Sequence, residues 1–528
     1  MDRPIAGNAT RSVALSRRGM VASSQSLATL AGVNALREGG NAVDAAIAAH
    51  AVMGVVEPHS STIGGDAFAL IWEPREARVF ALNGSGAASM HASSDRLRGD
   101  GHTAMPERGG AAITVPGAAR AFEALAARFG RRTLRENFAE AVAHAEEGFP
   151  IAEIAAAAWS ASAPIVERHT GPDAAYARPV RAGQVVRNPE LARTLRAIAE
   201  DGAQAFYEGE IAASMVRAIV AAGGTMTLDD LSAYRPQWVE PVSTTYRGHR
   251  VFAPPPNGQG IAGLEMLNLL EGFELRALGH NTADHLHVLI EAKRLAHRDL
   301  DRHLADPDHA EVPVERLLDK AYAAELRARI RPDRVLALDE AAPLRGGTVY
   351  ATAVDGEGRC CSLISSVYMN FGSGVVDRAT GVLFQNRGAL FSLDPAHPNE
   401  LAPGKRPYHT IVPWMVLRDK RPWLSYGIVG GEMQPQGAVQ ILCNLVDFGM
   451  GLQEALEGDR VRHTDDTSAL ESGIGAEVRA ALAAKGHRLV GGFGAYSYGG
   501  AQAIALDDDG GVFSGASDPR KDGIALGY

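Results

Sequence analysis

The 528-residue chain has little cysteine, no clustered basic charge and no long apolar run, and each shortage excludes a class of protein. Three cysteines are too few for a disulfide framework, which indicates a reducing compartment. Lysine and arginine number 52 against 62 aspartate and glutamate residues, and the net charge of −10 makes a nucleic-acid partner unexpected. The most apolar early stretch, residues 42–56, is interrupted by Asp44 and His50 and is shorter than the about 20 residues that a membrane span needs.

The first 20 residues contain arginines but no continuous apolar run, so a secretory signal is not predicted. Together with the cysteine content, this leads us to expect a cytoplasmic protein that has no membrane partner.

Several common signatures are also missing. The chain has no Gly-x-Ser-x-Gly motif, the turn that carries the nucleophilic serine of α/β-hydrolases, so a catalytic triad of that class is not predicted. Residues 258–263 form a Gly-x-Gly-x-x-Gly pattern, but it follows prolines rather than a strand, which favours a plain loop-to-helix turn over a dinucleotide site. The His- and Asp-rich stretch 297–309 has neither EF-hand nor zinc-helix spacing and is interpreted as a solvated helix end. Cys360 and Cys361 are predicted to pack in the core, and no metal or organic cofactor is predicted.

The first two-thirds of the chain has the residue pattern typical of helices, and the part after Gly347 has the pattern typical of strands. Residues 27–58 predict two helices separated by Gly39–Gly40, with Asn41 as the N-cap of the second helix. Residues 349–354 and 359–368 predict a β-hairpin joined by a four-residue turn. Further strands are predicted at residues 67–73, 381–386, 410–418, 421–430 and 501–507. This order favours stacked helix and sheet layers over a βαβ repeat.

The segment Arg345–Gly346–Gly347–Thr348 lies at the boundary between the helix-rich part and the strand-rich part of the chain. If the chain is cut before Thr348, that residue carries a hydroxyl nucleophile and an adjacent α-amino base. A free α-amino group has a pKa of about 7.7–8.0, which suits general-base chemistry near neutral pH. Glycine before a strand is also common in ordinary turns, so the segment alone does not decide between the two interpretations.

A series of sequence blocks gives this segment a context. The blocks are residues 39–70, 114–122, 146–151, 203–241, 346–374 and 405–413, the pair Gly430–Gly431 and residues 515–523. In this order, across about 500 residues, they resemble the gamma-glutamyltranspeptidase family of N-terminal-nucleophile hydrolases. The resemblance implies an α+β fold, a four-layer αββα sandwich assembled from two autoprocessed subunits. Residues 1–347 would form the large (alpha) subunit and residues 348–528 the small (beta) subunit.

The resemblance also assigns catalytic roles. Thr348 would be the nucleophile and, after autocleavage of the Gly347–Thr348 bond, its amino group would be the base. Ser366 falls where the family has a second hydroxyl that hydrogen-bonds the nucleophile. Gly430 and Gly431 fall where backbone N–H groups form the oxyanion hole, which stabilises negative charge as it develops.

Several positions depart from the family pattern that binds a glutamyl group. Ser85 stands in place of the family's early arginine. Tyr368, Arg387 and Leu390 stand in place of its Asn, Gln and Asp, in that order. His409–Thr410 stands in place of its serine pair. Leu390 removes the acid that would pair with a substrate ammonium, whereas Arg387 offers a planar fork suited to a carboxylate. Arg387 is alternatively a structural ion-pair partner, Tyr368 a packing residue, and His409 either a pocket wall or a structural residue.

These departures favour an amidohydrolase for a small acid-bearing amide, in the branch with oxamate amidohydrolase and cephalosporin-acylase-like proteins. Its partners would be the substrate and the two subunits of one precursor, and a homo-oligomer is compatible with the sequence. One alternative is a gamma-glutamyltransferase or glutathione hydrolase. The other is an unprocessed relative that binds a ligand without catalysis. Hydrolysis versus acyl transfer stays open.

Overall fold

The computed structural model describes residues 9–337, 347–491, 494–507 and 511–528. Its strands are β1 Ala14–Ser16, β2 Gly19–Ser23, β3 Asp66–Glu73, β4 Arg78–Gly84, β5 Phe149–Pro150, β6 Val185–Val186, β7 Gln237–Val239, β8 Val242–Tyr246, β9 His249–Ala253, β10 Gly347–Asp355, β11 Cys360–Tyr368, β12 Val376–Asp377, β13 Val382–Leu383, β14 Trp414–Arg418, β15 Arg421–Ile428, β16 Val461–Thr464, β17 Thr467–Leu470, β18 Arg488–Leu489, β19 Ala501–Leu506, β20 Phe513–Ser517 and β21 Ile524–Gly527.

The α-helices are α1 Ser26–Arg37, α2 Ala42–Val56, α3 Ser94–Gly99, α4 Ala118–Phe129, α5 Leu134–Glu147, α6 Glu153–Thr170, α7 Pro189–Asp201, α8 Gln204–Tyr207, α9 Gly209–Ala221, α10 Leu228–Ala233, α11 Gly260–Leu270, α12 Leu275–Leu278, α13 Ala283–His303, α14 Val314–Leu317, α15 Lys320–Arg327, α16 Met433–Val446, α17 Leu452–Glu457 and α18 Ala476–Ala484. Over the described ranges, none of these helices has the length and apolar character needed to cross a membrane.

Two seven-stranded antiparallel sheets form the centre of the protein. One has the order β1-β20-β19-β15-β14-β9-β8, and the other has the order β21-β2-β10-β11-β3-β4-β7. The sheets face each other, because Thr352 Oγ1 of β10 lies 2.6 Å from Ser425 Oγ of β15. Phe68, Tyr350 and Ile411 pack together in the same interior. Each sheet contains strands from before and after Thr348.

Helices cover both outer faces. The second sheet packs against α1, α2 and α4, whereas the first packs against α11 and α16, with α13 behind them. Separate apolar cores lie under these two helical layers. The predicted αββα sandwich is therefore confirmed.

Local signals account for the elements nearest the centre. Asn41 caps α2 in a capping box with Asp44, and all 15 residues of this alanine-rich helix are buried against the sheet. The predicted hairpin is β10 paired with β11, and Val354 lies opposite Cys360. Both strands are almost wholly buried, as expected for strands covered on two faces.

Cys360 and Cys361 are buried, and burial raises the pKa of both thiols, as the core-packing interpretation predicts. The Gly-x-Gly-x-x-Gly stretch leads from a loop into α11, which agrees with the predicted turn.

Three interpretations need correction. The stretch 297–309 is not simply a solvated helix end: His297 and Asp299 are buried, because α13 continues to His303 in contact with α11. The strand predicted over residues 410–418 begins only at Trp414, after a proline that has no N–H to donate. The strand predicted over 381–386 is reduced to two residues. Arg345 and Gly346 lie outside the described residues.

Candidate active site

Thr348 lies at the start of β10 and is 1% exposed. Its Oγ1 donates a 2.7 Å hydrogen bond to the carbonyl oxygen of Gly347 and lies 3.3 Å from Ser366 Oγ. Gln434 Nε2 donates to the same Oγ1 over 3.2 Å. The hydroxyl therefore sits beside the peptide bond that precedes it, between two buried polar side chains.

Ser366 stands on β11 beside this bond and is fully buried. Its Oγ donates to the Gly347 carbonyl oxygen over 2.6 Å and accepts a 2.8 Å bond from the Tyr368 backbone N–H. The Gly347 carbonyl thus faces two hydroxyl groups. Donors placed at a carbonyl oxygen polarise it and stabilise the oxyanion that forms when a nucleophile attacks the carbon.

Gly347 lies against the side chain of Asn370. A Cβ built there would lie 2.5 Å from Asn370 Oδ1, closer than real Cβ contacts allow. The strand register shifts between Gly347 and Val349, so the ladder to β11 is irregular at this bond. A larger residue at position 347 would therefore require the Asn370 side chain to move.

Gly430 and Gly431 follow β15 and have φ values of +120° and +63°. These left-handed conformations favour glycine and turn the backbone towards the start of α16. The described part of the chain offers no acceptor to either backbone N–H, so both remain available as donors. Gln434 connects the pair to Thr348, because its backbone N–H donates to the Gly431 carbonyl over 3.1 Å.

Gln259 supports this turn from the Gly-x-Gly-x-x-Gly stretch. Its Nε2 donates to the carbonyl oxygens of Thr410 and, over 2.9 Å, Gly431. Its Oε1 accepts a 2.7 Å bond from the Tyr408 hydroxyl. The stretch therefore supplies a buried side chain that ties the glycine pair to the 405–413 segment.

A second buried cluster surrounds Arg387, which is 0% exposed. Its Nη1 donates to Thr410 Oγ1 over 2.6 Å, and its Nε lies 3.8 Å from Asp66 Oδ2. Its guanidinium carbon lies 5.0 Å from the centre of the Tyr368 ring, a cation–π distance. Asp66 Oδ2 is also 3.1 Å from His409 Nε2. Among the described residues, Nε and Nη2 of Arg387 have no hydrogen-bond partner.

Burial controls the charges in this cluster. It raises the pKa of Asp66 to about 7, although the nearby Arg387 opposes that shift. Burial and then Arg387 lower the pKa of His409 well below its usual range, so the imidazole is neutral and its Nε2–H can donate to Asp66. Burial lowers the pKa of Arg387 to about 10, which leaves the guanidinium charged at neutral pH. Arg387 thus forms an ion pair with Asp66, as one of the two interpretations of this residue predicts. Its Nε and Nη2 nevertheless donate no hydrogen bond to any described residue.

A cavity of about 510 Å³ lies near the two clusters, but Thr348, Ser366 and Arg387 are not among the residues that line it. Leu390, Tyr408 and Glu432 line it, and each is within three residues of a site residue described above. Lys293 and His297 of α13 line another wall. Over the ranges that the structure covers, no group of three His, Cys, Asp or Glu side chains is arranged to hold a metal ion.

Comparison with known proteins identifies the family. A profile of the gamma-glutamyltranspeptidase family matches residues 28–528. The chain belongs to the gamma-glutamyltranspeptidase family. Members of this family are hydrolases and transferases that act on amide bonds, and this chain is accordingly an enzyme of that kind.

Within the gamma-glutamyltranspeptidase family, the chain is 38% identical over 520 residues to the glutathione hydrolase-like YwrD proenzyme of Bacillus subtilis, covering 96% of this chain and 98% of the relative. It is 34% identical over 538 residues to the oxamate amidohydrolase proenzyme of Klebsiella pneumoniae, covering 97% and 99%. The crystal structure of cephalosporin acylase from Bacillus halodurans superposes with a TM-score of 0.92 at 39% identity, covering 100% of this chain and 99% of that one. These matches confirm the recognised family and its fold.

The structure brings the predicted residues of this gamma-glutamyltranspeptidase-family member into two neighbouring groups. Thr348, Ser366 and Gly347 form one group, which Gln434 connects to the glycine pair. Arg387, Tyr368, His409 and Thr410 form the other.

Sequence reasoning missed three polar side chains in these groups, namely Asp66, Gln259 and Gln434. Asp66 ends a Gly–Gly–Asp turn and Gln434 follows the glycine pair by three residues, so a search for polar residues beside glycine pairs could have found these two.

Proposed function

We propose that this family member is an autoprocessing amidohydrolase that works through a threonyl acyl-enzyme. The observation that supports it most is that the buried Thr348 hydroxyl lies 2.7 Å from the carbonyl oxygen of Gly347. The same carbonyl oxygen also accepts a hydrogen bond from the Ser366 hydroxyl. A hydroxyl and a polarised carbonyl of consecutive residues are the two reactants of an N-to-O acyl shift.

Maturation begins when Thr348 Oγ attacks the Gly347 carbonyl carbon and the hydroxyl proton passes to the departing nitrogen. The product is an ester between Gly347 and the Thr348 side chain, with a free Thr348 amino group. Water hydrolyses this ester and yields residues 1–347 with a new carboxylate and residues 348–528 with a new amine. Ser366 donates to the carbonyl oxygen while negative charge develops on it.

Turnover uses the same hydroxyl on an amide substrate. The Thr348 amino group takes the hydroxyl proton as Oγ attacks, then delivers it to the leaving amine when the C–N bond breaks. The N–H groups of Gly430 and Gly431 stabilise the oxyanion. Water then attacks the acyl-enzyme ester, which releases the acid and restores Thr348. This scheme uses no metal, so activity should survive exhaustive chelation.

The substrate in this proposal is a small amide that carries an acid and lacks a glutamyl ammonium. Leu390, which lines the cavity, stands where the family resemblance places the acid that binds a glutamyl ammonium, and loss of that acid removes its specific partner. The Nε and Nη2 donors of Arg387 suit a carboxylate. The similarity to an oxamate amidohydrolase and to a cephalosporin acylase agrees with this substrate class, whereas the similarity to a glutathione hydrolase-like proenzyme makes a gamma-glutamyl compound the necessary comparison in the assay.

The test combines mass and activity. The Thr348→Ala variant should remain one chain by intact mass, whereas Thr348→Ser, which keeps a hydroxyl, should yield both fragments. Normal cleavage of Thr348→Ala at the same bond would refute the nucleophile. The wild-type protein should then be assayed with oxamate, a glutaryl amide and gamma-glutamyl-p-nitroanilide. A clear preference for the last compound would replace our substrate class with the gamma-glutamyl one.

A further inference from the structure

Gln434 makes a contact that the proposed mechanism has not used. It lies in the first turn of α16 and is 0% exposed. Its Nε2 donates to Thr348 Oγ1 over 3.2 Å, and its Oε1 accepts a 2.8 Å bond from the Val412 backbone N–H. The Val412 bond fixes the orientation of the amide, because only an oxygen can accept from that N–H. The donor end therefore faces the threonine hydroxyl.

We propose that Gln434 is a further catalytic residue, which donates a hydrogen bond to the nucleophilic oxygen throughout the reaction. This inference rests on the proposed function, because it takes Thr348 Oγ1 as the reacting atom. A donor on one lone pair of Oγ1 holds the side chain in one rotamer and leaves the other lone pair for attack. No proton leaves Gln434; the hydroxyl proton still passes to the Thr348 amino group.

The energetic benefit lies in the transition state. A hydrogen bond to a neutral hydroxyl is weak and slightly reduces its nucleophilicity, but the same bond strengthens as negative charge develops on Oγ1 when its proton leaves. Gln434 also donates through its backbone N–H to the Gly431 carbonyl. One residue thus couples the position of the nucleophile to the turn that carries the oxyanion donors.

A neighbouring glutamine shows what a purely structural arrangement looks like. Gln436, in the same helix and 2% exposed, donates through Nε2 to the carbonyl oxygens of Glu432 and His463 and accepts from the His463 N–H. All its polar atoms serve the backbone. Gln434 instead directs its donor at the proposed reacting hydroxyl, and Gln436 supplies a matched control.

The test exploits the proton of a carboxyl group. In Gln434→Glu the protonated carboxyl can donate to Oγ1 and accept from Val412, whereas the ionised carboxylate cannot donate. The ratio of variant to wild-type kcat/KM should therefore fall as pH rises through the pKa of the new carboxyl, by about 10- to 100-fold overall. Gln434→Met should lose about the same factor at every pH, mainly in kcat, with KM within about threefold. Where a variant is purified uncleaved, the rate of Gly347–Thr348 cleavage replaces kcat/KM as the readout.

The matched variant Gln436→Glu should give a ratio that is independent of pH, because it does not touch Thr348. Equal, pH-independent ratios for Gln434→Glu and Gln436→Glu, in proteins with the same unfolding temperature, would overturn the inference and leave Gln434 with a structural role. Thr348→Ala separates the two levels of the proposal. If that variant still cleaves, the proposed function fails; if it is inactive while the Gln434 ratios are flat, only the role of Gln434 fails.

Discussion

The Ser366 hydroxyl lies 2.6 Å from the carbonyl oxygen of Gly347, and it donates a hydrogen bond across the β10–β11 ladder to the residue before Thr348. Ser366 and Thr348 are both almost completely buried, whereas Gly347 is half-buried, so the contact is partly shielded from water. The bond that the proposed maturation cuts is therefore polarised before any reaction begins.

Ser366→Ala should slow cleavage of the Gly347–Thr348 bond by about 10- to 100-fold, because one donor to the developing oxyanion is lost. Ser366→Thr keeps a hydroxyl and is the matched control. Intact mass over time after purification measures both. Unchanged cleavage in Ser366→Ala would show that the 2.6 Å contact is not used in maturation.

Gly347→Ala should also impair cleavage, for a steric reason. The added Cβ would meet Asn370 Oδ1 at 2.5 Å, and unless the Asn370 side chain gives way, residue 347 and its carbonyl have to shift. We expect at least a tenfold slower reaction, because small misplacements of reacting groups can cost about 100-fold. Asn370→Ala in the Gly347→Ala background should restore much of the rate, since it removes the clashing oxygen. Absence of any rescue would mean that the contact with Asn370 is not what slows the reaction.

Replacing Arg387 with glutamine should reduce kcat/KM for an acid-bearing amide by about 10- to 150-fold, the worth of a charge-assisted hydrogen bond of roughly 1.5–3 kcal/mol. Arg387→Lys should recover only part of it, because lysine has the charge without the fork. A neutral amide with the same leaving group should be much less affected. A similar loss for both substrates would favour the purely structural ion pair with Asp66.

The Arg387 variant needs its own control, because it leaves Asp66 buried without its cation. Removing one partner of a buried pair destabilises proteins by about 3–5 kcal/mol. The double variant Arg387→Gln/Asp66→Asn removes both charges and should recover stability without recovering kcat/KM for the acid-bearing amide.

Asp66 predicts a pH dependence of substrate binding. Burial raises the pKa of this carboxyl to about 7, so it is protonated below that pH and Arg387 then has no anionic partner there. KM for an acid-bearing amide should rise as pH increases through about 7, by about 3- to 10-fold, and Asp66→Asn should flatten this dependence. A neutral amide measured between pH 5.5 and 8.5 is the comparison. An equal rise for the neutral amide would argue against competition between Asp66 and substrate for Arg387.

The same carboxyl affects stability with a defined sign. The folded protein binds the Asp66 proton more tightly than the unfolded chain, whose carboxyl has a pKa of about 4. The free energy of unfolding should therefore fall as pH rises from about 4 to about 7. Burial also raises the pKa of Glu57 to about 7, so Asp66→Asn should remove only part of this slope in denaturant titrations.

Sequence reasoning succeeded where local signals decide structure. The cap at Asn41 and the hairpin after Gly347 depend on residues close together in the chain, and both are confirmed. The αββα architecture followed from the family resemblance rather than from periodicity. The strand predicted over residues 410–418 is too long for two reasons: Pro413 cannot donate to a ladder, which the sequence does show, and Thr410 binds Gln259 and Arg387 of the site, which no local pattern reveals.

The site itself was predictable only in part. Thr348 and Ser366 lie on neighbouring strands of one hairpin, so a correct register brings them together. Asp66 meets His409 across 343 residues of sequence, and Gln434 meets Thr348 across 86. Such contacts depend on how the two sheets and α16 stack, which a single sequence does not specify. This is why Arg387 was proposed as a carboxylate ligand without its buried counter-ion.

The interleaving of strands around β10 has a consequence for how the protein is made. β10 begins with Gly347 and Thr348 and lies between β2, from the first 25 residues, and β11, while β21 pairs with the outer side of β2. Once the bond before Thr348 is cut, neither fragment contains a complete sheet. Denatured mature protein would then refold by a bimolecular reaction whose yield depends on concentration, whereas the uncut Thr348→Ala chain would refold independently of concentration. In the proposed maturation, folding therefore precedes cutting, and the native arrangement is reached in a single direction.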